Sequence, residues 1–362
     1  IKARLAGPPA DNSAMDGYAL RTVDAGRTLS VSQRIPAGTP AKPLAEASCA
    51  RLFTGSEIPP GADCVVMQEA VEELAGGIRF PAELTPGDNI RRQGCDVNAG
   101  SELLAAGTRL EAAALGHLAG QGITDLPVVR KPRVALLFTG DEIIDPGRPL
   151  APGQIYNSNR PMLSHLMAGF GVEVVLASTL PDRYEATCEH LRHAAELADV
   201  VITTGGVSVG EEDHVKQALG DLGRLDLWRL AMRPGKPLAL GRLPRTDGSE
   251  ARFVGLPGNP VSSYVGAWLF LRPLMGALLG CPALRHLPSI SAMAAFSTRT
   301  QARRYYMRVR LEFTSDGPVA HAFADQHSGV LSSCVHANAL AIVTEHSEIV
   351  EGDSIECLWL AS

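Results

Sequence analysis

Short apolar runs recur along the chain, and the spacing between them divides it. Arg133-Val134-Ala135-Leu136-Leu137-Phe138 and Val200-Val201-Ile202 read as buried strands. Between them Met162, Leu163, Leu166, Met167 and Phe170 form the apolar stripe of a helix. Asn159 is its expected cap, Pro161 lies in its first turn, and Gly169 and Gly171 end it. Val172 to Leu176 is the next strand, and Asp182-Arg183-Tyr184-Glu185 has the form of a capping box opening another helix. Further strands are expected near Leu225–Met232, Leu238–Leu240 and Phe253–Leu256, then a long apolar helix from Pro260 to Leu279. Strands alternating with helices over 131–280 predict an α/β layered domain with a mostly parallel sheet. Ligands of such sheets sit beyond the carboxyl ends of the strands.

The rest of the chain follows a different rhythm. Residues 17–92 are rich in Pro and Gly with short apolar runs, Cys64–Met67 and Gly77–Phe80, and predict a small β domain. Residues 93–130 hold one helical pattern, Glu111 to Gln121, stopped by Gly122; with residues 1–16 they form an expected linker domain. From 286 to 362 the runs Ser289–Ala295, Tyr305–Phe313, Val319–Phe323, Leu340–Thr344 and Ser354–Leu360 predict a C-terminal β-barrel or sandwich. The expected fold class is therefore α/β plus β, in several domains.

Composition narrows the function. A chain of 362 residues has room for two to four domains. Net charge is −6 and aromatic content 5%, which argues against broad nucleic-acid binding, so anions must be met at local sites. Seven scattered cysteines with no C-x-x-C argue against a disulfide framework or zinc ribbon and predict a cytoplasmic protein. No apolar stretch reaches membrane-spanning length, and no signal-peptide pattern is present. The chain opens on Ile1 rather than Met, so further residues are expected upstream.

Four polar loops of the α/β segment follow strands and are expected to line one cleft. Thr139-Gly140-Asp141-Glu142 places two acids after a strand, as a metal or general-base site requires; a helix-capping turn is the plainer alternative. Thr203-Thr204-Gly205-Gly206-Val207-Ser208 offers backbone N–H groups and hydroxyls to an anion. Glu211, Glu212 and Asp213 follow it; a tight turn with a solvated acidic helix start fits the same residues. Arg233-Pro234-Gly235-Lys236-Pro237 sets two cations on a Pro-stiffened loop, an oxyanion clamp or a solvated surface loop. Gly255-Leu256-Pro257-Gly258-Asn259-Pro260-Val261-Ser262 fixes a rigid turn at a helix start. The ten histidines show no metal-ligand spacing, and neither Cys95 nor Cys188 has a neighbour that marks it as a nucleophile.

Together with three further segments, these loops closely resemble the molybdopterin molybdenumtransferases, the molybdenum-insertion enzymes related to the gephyrin E domain. The matching text is D-N-S-A-M-D-G-Y-A at 11–19, T-G-S-E-I-P-P-G-A-D at 54–63 and N-I-R-R-Q-G-C-D at 89–96. It continues with T-G-D-E at 139–142, T-G-G-V-S-V-G-E-E-D at 204–213, P-G-K-P at 234–237 and G-L-P-G-N-P-V-S at 255–262. The resemblance implies an elongated homodimer that binds adenylyl-molybdopterin, inserts molybdate and releases AMP with help from Mg²⁺. It implies that Asp16, Thr54 and Asp96 reach the cleft, from the partner subunit. Glu142, Asp199 and Asp213 match acidic positions around the pterin and metal, with Glu142 and Asp213 nearest the metal. Lys236, Ser262, Arg308 and Ser328 match positions near molybdate, and Pro257 and Pro260 shape the loop. Thr139, Gly140, Gly205, Gly206 and Ser208 fall to the pterin side. Arg233 stands where the family usually has Lys, and a planar guanidinium is not equivalent to an ammonium. Implied partners are a molybdopterin adenylyltransferase and molybdoenzyme chaperones. The alternatives are an adenylyltransferase, which typically lacks both β domains, and a molybdopterin-binding scaffold or carrier without turnover.

Overall fold

A computed structural model of the protein describes residues 1–207, 214–228, 230–235 and 238–360. Its contacts divide between Pro127 and Val128 into two units. In the first unit, Gly17–Leu20 (β1), Thr28–Ile35 (β2), Ser48–Leu52 (β3), Cys64–Met67 (β4), Glu72–Leu74 (β5) and Gly77–Arg79 (β6) form one sheet. The strand order is β4-β1-β3-β2-β6-β5. Strand alternation sends Tyr18, Leu20 and Val66 into one apolar cluster and Ala19, Ile35, Leu52 and Val65 into another. A ribbon pairs Gly7 with Val97 and Asn12 with Arg91. The predicted helix is Ala112–Gly120 (α1), and Gly122 follows it at φ 64°.

The second unit contains the predicted α/β layer. Its elements in chain order are Arg133–Thr139 (β7), Asn159–Gly169 (α2), Glu173–Leu180 (β8), Tyr184–Leu197 (α3), Val200–Thr204 (β9) and His214–Leu222 (α4). Arg224–Trp228 (β10), Met232–Arg233 (β11), Ala239–Pro244 (β12), Glu250–Leu256 (β13), Pro260–Gly266 (α5) and Arg272–Leu278 (α6) follow. The sheet runs β8-β7-β9-β13-β12-β10; its first four strands are parallel and the last two antiparallel. Near-continuous apolar runs in β7 and β9 reflect burial on both faces. Val134, Leu136 and Phe138 pack with Leu163, Met167, Trp268 and Leu271 on one side. Ala135, Leu137 and Val201 pack with Leu191, Val215 and Leu219 on the other.

Ser289–Ala294 (β14), Arg304–Thr314 (β15), Gly317–Ala322 (β16), Ala339–Val343 (β17) and Ser354–Trp359 (β18) close on themselves as β15-β16-β14-β18-β17-β15. Ser332–His336 (α7) lies between β16 and β17. The expected barrel-or-sandwich is thus a closed barrel of five strands, its core built from Tyr305, Met307, Val309, Leu311 and their neighbours.

Several local expectations are corrected. Asn159 does not cap α2: Arg160 N donates to Asn157 Oδ1 (3.0 Å), and Asn159 Nδ2 donates to Gly258 O (2.8 Å). Asn157 performs the local turn bond, which frees the Asn159 amide for a tertiary contact. Helix α3 starts at Tyr184, with Arg183 in the cap position making no side-chain capping bond. The strand expected at 225–232 is split: β10 stays in the α/β sheet, while Met232–Arg233 pairs with Arg304–Tyr305 of the barrel. The long helix from Pro260 contains a π-helical segment, Ala267–Leu271, between α5 and α6.

Candidate functional site

Register brings the described parts of the four expected loops to one edge. Thr139 pairs with Leu180, and Thr204 pairs with both Phe138 and Leu256, so the parallel strands finish level. Thr139 Oγ1 donates to Thr204 O (3.2 Å), and Gly205 N donates to Leu256 O (3.0 Å). Gly205 and Gly206 turn the chain away at φ 87° and 66°. A Cβ on Gly205 would stand 2.4 Å from Thr139 Oγ1, and one on Gly206 2.4 Å from Val215 Cγ2, so the turn admits neither. The Glu142 carboxylate folds back over Gly140, at the exposed mouth of the first loop.

The third and fourth loops touch each other. Gly235 fits against Pro257 and Ser262, where a Cβ would lie 3.1 Å from both side chains. Pro260 opens α5 at its first position, Ser263 Oγ donates to Pro257 O, and Val261 N donates to Ser328 O (3.2 Å). Through that last bond the barrel's 325–333 segment meets the start of α5. Ser262 is buried there.

Arg308 lies behind this junction. It leaves the barrel wall on β15 and is fully buried. Nε donates to Ser333 Oγ (3.0 Å) and Nη2 to His327 O (3.1 Å). Nη1 has no hydrogen-bond partner. Gln326 holds the strand at this point, accepting from Arg308 N (3.0 Å) and donating to Arg308 O (2.9 Å). Burial lowers the guanidinium's pKa, while the nearby Tyr305 hydroxyl and Asp325 carboxylate oppose the shift. Arg233 is exposed and stacks on the same Tyr305, its Cζ 4.7 Å from the ring centroid.

Other unsatisfied groups gather at this edge. Thr203 Oγ1, Thr204 Oγ1, Asn157 Nδ2 and Asn159 Oδ1 are buried without a partner. Buried polar atoms are nearly always bonded, so such a group marks a place where a ligand or water belongs. Neither carboxamide is among the expected site residues, Asn159 being expected only as a helix cap; the polar run Asn157-Ser158-Asn159 ahead of a helix is the available signal.

The structure does not bring every expected residue here. Asp199 stands immediately before β9, at the amino-terminal edge of the parallel strands, whereas the loops leave the carboxyl-terminal edge. It accepts from Arg130 Nη1 (2.7 Å), Arg130 Nη2 (2.8 Å) and Arg133 N (2.8 Å), and Arg245 Nη2 lies 3.6 Å away. The Arg130 bonds hold its carboxyl well below the usual range. A cavity of about 240 Å³ beside it has Arg130, Asp199, Arg245, Glu250 and Arg252 in its lining. Asp199 is therefore a structural anchor, a correction to the expected active-site role. Ser208, Asp213 and Lys236 lie outside the described residues.

In the first unit, Asp16 Oδ1 accepts from Thr54 N (2.7 Å) and Thr54 Oγ1 (2.9 Å), which lowers the Asp16 pKa, with Arg51 adding to the shift. Asp96 is not with them. Its backbone N donates to Gly7 O (2.9 Å), farther down the ribbon from the Asn12–Arg91 pair.

Three family models cover the chain in order. They are the MoeA N-terminal region (domain I and II) at residues 1–122, the "Probable molybdopterin binding domain" at 135–277 and the MoeA C-terminal region (domain IV) at 292–360. The molybdopterin molybdenumtransferase of Haemophilus influenzae is 37% identical over 96% of this chain and 87% of its own. Molybdopterin molybdenumtransferase 2 of Mycobacterium tuberculosis is 35% identical over 97% of this chain and 88% of its own. The crystal structure of a molybdopterin biosynthesis moeA protein from Pyrococcus horikoshii superposes with a TM-score of 0.83 at 27% identity, covering 99% of this chain and 90% of that one. With matched regions from the first residues to the last strand, and relatives this similar over most of their length, the chain belongs to the MoeA family of molybdopterin molybdenumtransferases.

Proposed function

We propose that the protein is a transferase of molybdenum cofactor biosynthesis that inserts molybdenum from molybdate into adenylylated molybdopterin and releases AMP. The observation that carries this reading is the buried Arg308 guanidinium with an unpartnered Nη1, set behind the junction of the 257–262 loop and the barrel. Charge-assisted hydrogen bonds from a guanidinium suit a tetrahedral oxyanion. Molybdate is bound by Arg308 with Ser262, Ser328, Arg233 and Lys236 around it, Pro257 and Pro260 fixing the loop. The dithiolene and pterin lie along Thr139, Gly140, Gly205, Gly206 and Ser208. Arg233, stacked on Tyr305, supplies a fixed planar donor where a Lys would be a mobile point charge.

A magnesium ion fits this set on limited terms. Among the described residues no group of three His, Cys, Asp or Glu side chains could hold a metal. Mg²⁺ bound to a phosphate ester needs only one or two carboxylates, and Glu142 offers one at the mouth of the first loop. Glu142 and Asp213 would hold the ion, which would offset phosphate charge and polarise the ester. Asp16 and Thr54 reach a cleft completed by a second subunit in a homodimer, and Asp96 meets it at a separate point farther down the ribbon. An adenylyltransferase supplies the substrate and a molybdoenzyme chaperone takes the product. Seven free thiols fit a reducing cytoplasm.

The test is to incubate the purified protein with adenylyl-molybdopterin, Mg²⁺ and molybdate. Insertion predicts AMP release that depends on molybdate. Pyrophosphate formation from ATP would instead identify an adenylyltransferase, and binding without turnover a carrier.

A further inference from the structure

The loop that carries Glu142 runs on to the start of α2, and its root is tied there. Ile143 and Ile144 pair in parallel with Ile155 and Tyr156. Ile155 N donates to Glu142 O (2.9 Å), and Asn157 N donates to Ile144 O (2.8 Å). Residues 145–154, between the two short segments, are rich in Pro and Gly, and the Tyr156 hydroxyl donates to Arg148 O (2.9 Å). A two-residue ladder is too short to hold such a loop by itself.

One side chain fastens the loop to the sheet. Arg160, in the first turn of α2, lies over the carboxyl edge, where Phe138 of β7 and Thr179 of β8 are register partners. Its Cζ lies 5.5 Å from the Phe138 ring centroid, and Nη2 donates to Thr179 Oγ1 (3.4 Å). Nη1 lies 3.0 Å from Asp145 Oδ2, while Nε and Asp145 Oδ1 are buried without a partner. The contact is therefore a single-point clamp rather than a bidentate fork. No ion pair among the described residues includes Glu142. The arginine that reaches this loop is spent on Asp145, three residues along, and leaves the Glu142 carboxylate to be met by another cation.

We propose that Arg160 is a positioning residue for Glu142. By clamping Asp145 to the end of the β7–β8 pair, it fixes the loop that presents the Glu142 carboxylate to a divalent cation. The inference rests on the reading that Glu142 lies on the metal side of the site. Arg160 touches neither metal nor substrate in this role and acts through Asp145. A partly exposed ion pair adds little to global stability. Removing a partner one step behind a metal ligand costs about 10–100-fold in metal affinity. The effect of Arg160 therefore belongs in metal binding and loop protection more than in the melting temperature.

Mn²⁺ stands in for Mg²⁺ in the test, with the free ion followed by electron paramagnetic resonance over the purified full chain and AMP. Arg160→Gln is expected to raise the Kd for Mn²⁺ about tenfold and to speed amide exchange over residues 142–157. Its Kd for molybdate should not change. Asp145→Asn should match it, and the double variant should be no worse than either single one, because the two residues act as a unit. Arg160→Lys, which keeps the charge without the planar stack, should fall between. Arg310→Gln, at an exposed arginine of the barrel strand β15, should bind Mn²⁺ as the wild type does. Glu142→Gln should weaken Mn²⁺ binding, and adding Arg160→Gln to it should change nothing further. Equal Mn²⁺ affinity in wild type and Arg160→Gln overturns the proposal, as does a wild type that binds no Mn²⁺. So does an equal loss of molybdate affinity, or a further loss on top of Glu142→Gln. Molybdate-dependent AMP release by the wild type is read separately; its absence would sink the insertion reading without touching the Mn²⁺ result.

Discussion

Arg308 buries a full guanidinium and leaves Nη1 without a partner. An unsatisfied buried donor costs about 1–3 kcal/mol, a cost that an arriving oxyanion would remove. Molybdate should therefore raise the melting temperature of the wild type. Arg308→Met deletes the donors to Ser333 Oγ and His327 O and should fold with a lowered melting temperature. That variant should lose the molybdate-induced shift and more than about a hundredfold of molybdate-dependent AMP release. A retained shift would remove Arg308 from the oxyanion site. Asp199 makes the opposite case. Its bonds to Arg130 and Arg133 join the chain ahead of β7 to the start of β9. Asp199→Asn should lower stability by about 2 kcal/mol and leave turnover near wild type at permissive temperature. Because its folded-state pKa is depressed, the stabilisation is present above the ordinary Asp value and fades as pH falls below about 4. Acid unfolding of wild type and Asp199→Asn should accordingly converge at low pH. The placement of Asp199 was legible in principle: a residue preceding a parallel strand lies at the edge opposite the loops that follow the strands.

At the scale of elements, the strands were readable because burial on both faces writes unbroken apolar runs, as in Val134–Phe138 and Val200–Ile202. The strand-end loops were readable as a group, since a parallel sheet collects every βα turn on one edge. Helix starts were not. Asn159 and Asp182 have the composition of caps, but Asn157 took the local bond at α2 and Arg183 occupies the cap position of α3. Nor could local pattern show that Met232–Arg233 would leave its neighbours for the barrel, because that pairing spans some seventy residues of sequence. The tightest element of the site is the β9 turn. Gly205→Ala would need both a left-handed φ and a Cβ against Thr139 Oγ1. A cost of about 1–2 kcal/mol for the backbone alone is expected, plus displacement of the Thr139 loop. Activity should fall further than the melting temperature predicts. A variant that lost stability and activity only in proportion would show that the turn has no part in binding.

For the whole molecule, the decisive question is whether one chain makes a complete site. Asp16 belongs to the first unit and Arg308 to the second. If the cleft is shared between subunits, Asp16→Asn and Arg308→Met, each inactive alone, should complement when mixed and allowed to exchange. Random pairing would restore about a quarter of wild-type activity, since half of the dimers are mixed and each has one intact site. No recovery, with exchange verified by mass, would place both residues in the same chain's site. No helix among the described residues is long and apolar enough to cross a membrane.

The cysteines offer a way to watch that assembly. Six of the seven are buried, and burial pushes the thiols of Cys49 and Cys334 up to about 11 and those of Cys64 and Cys357 up to about 12. Cys95 alone is exposed, next to the Gly7–Val97 ribbon of the first unit. A maleimide dye at neutral pH should therefore attach once per chain without any engineered substitution. Two batches carrying donor and acceptor dyes would then report subunit exchange by energy transfer, from a position the native sequence already leaves open.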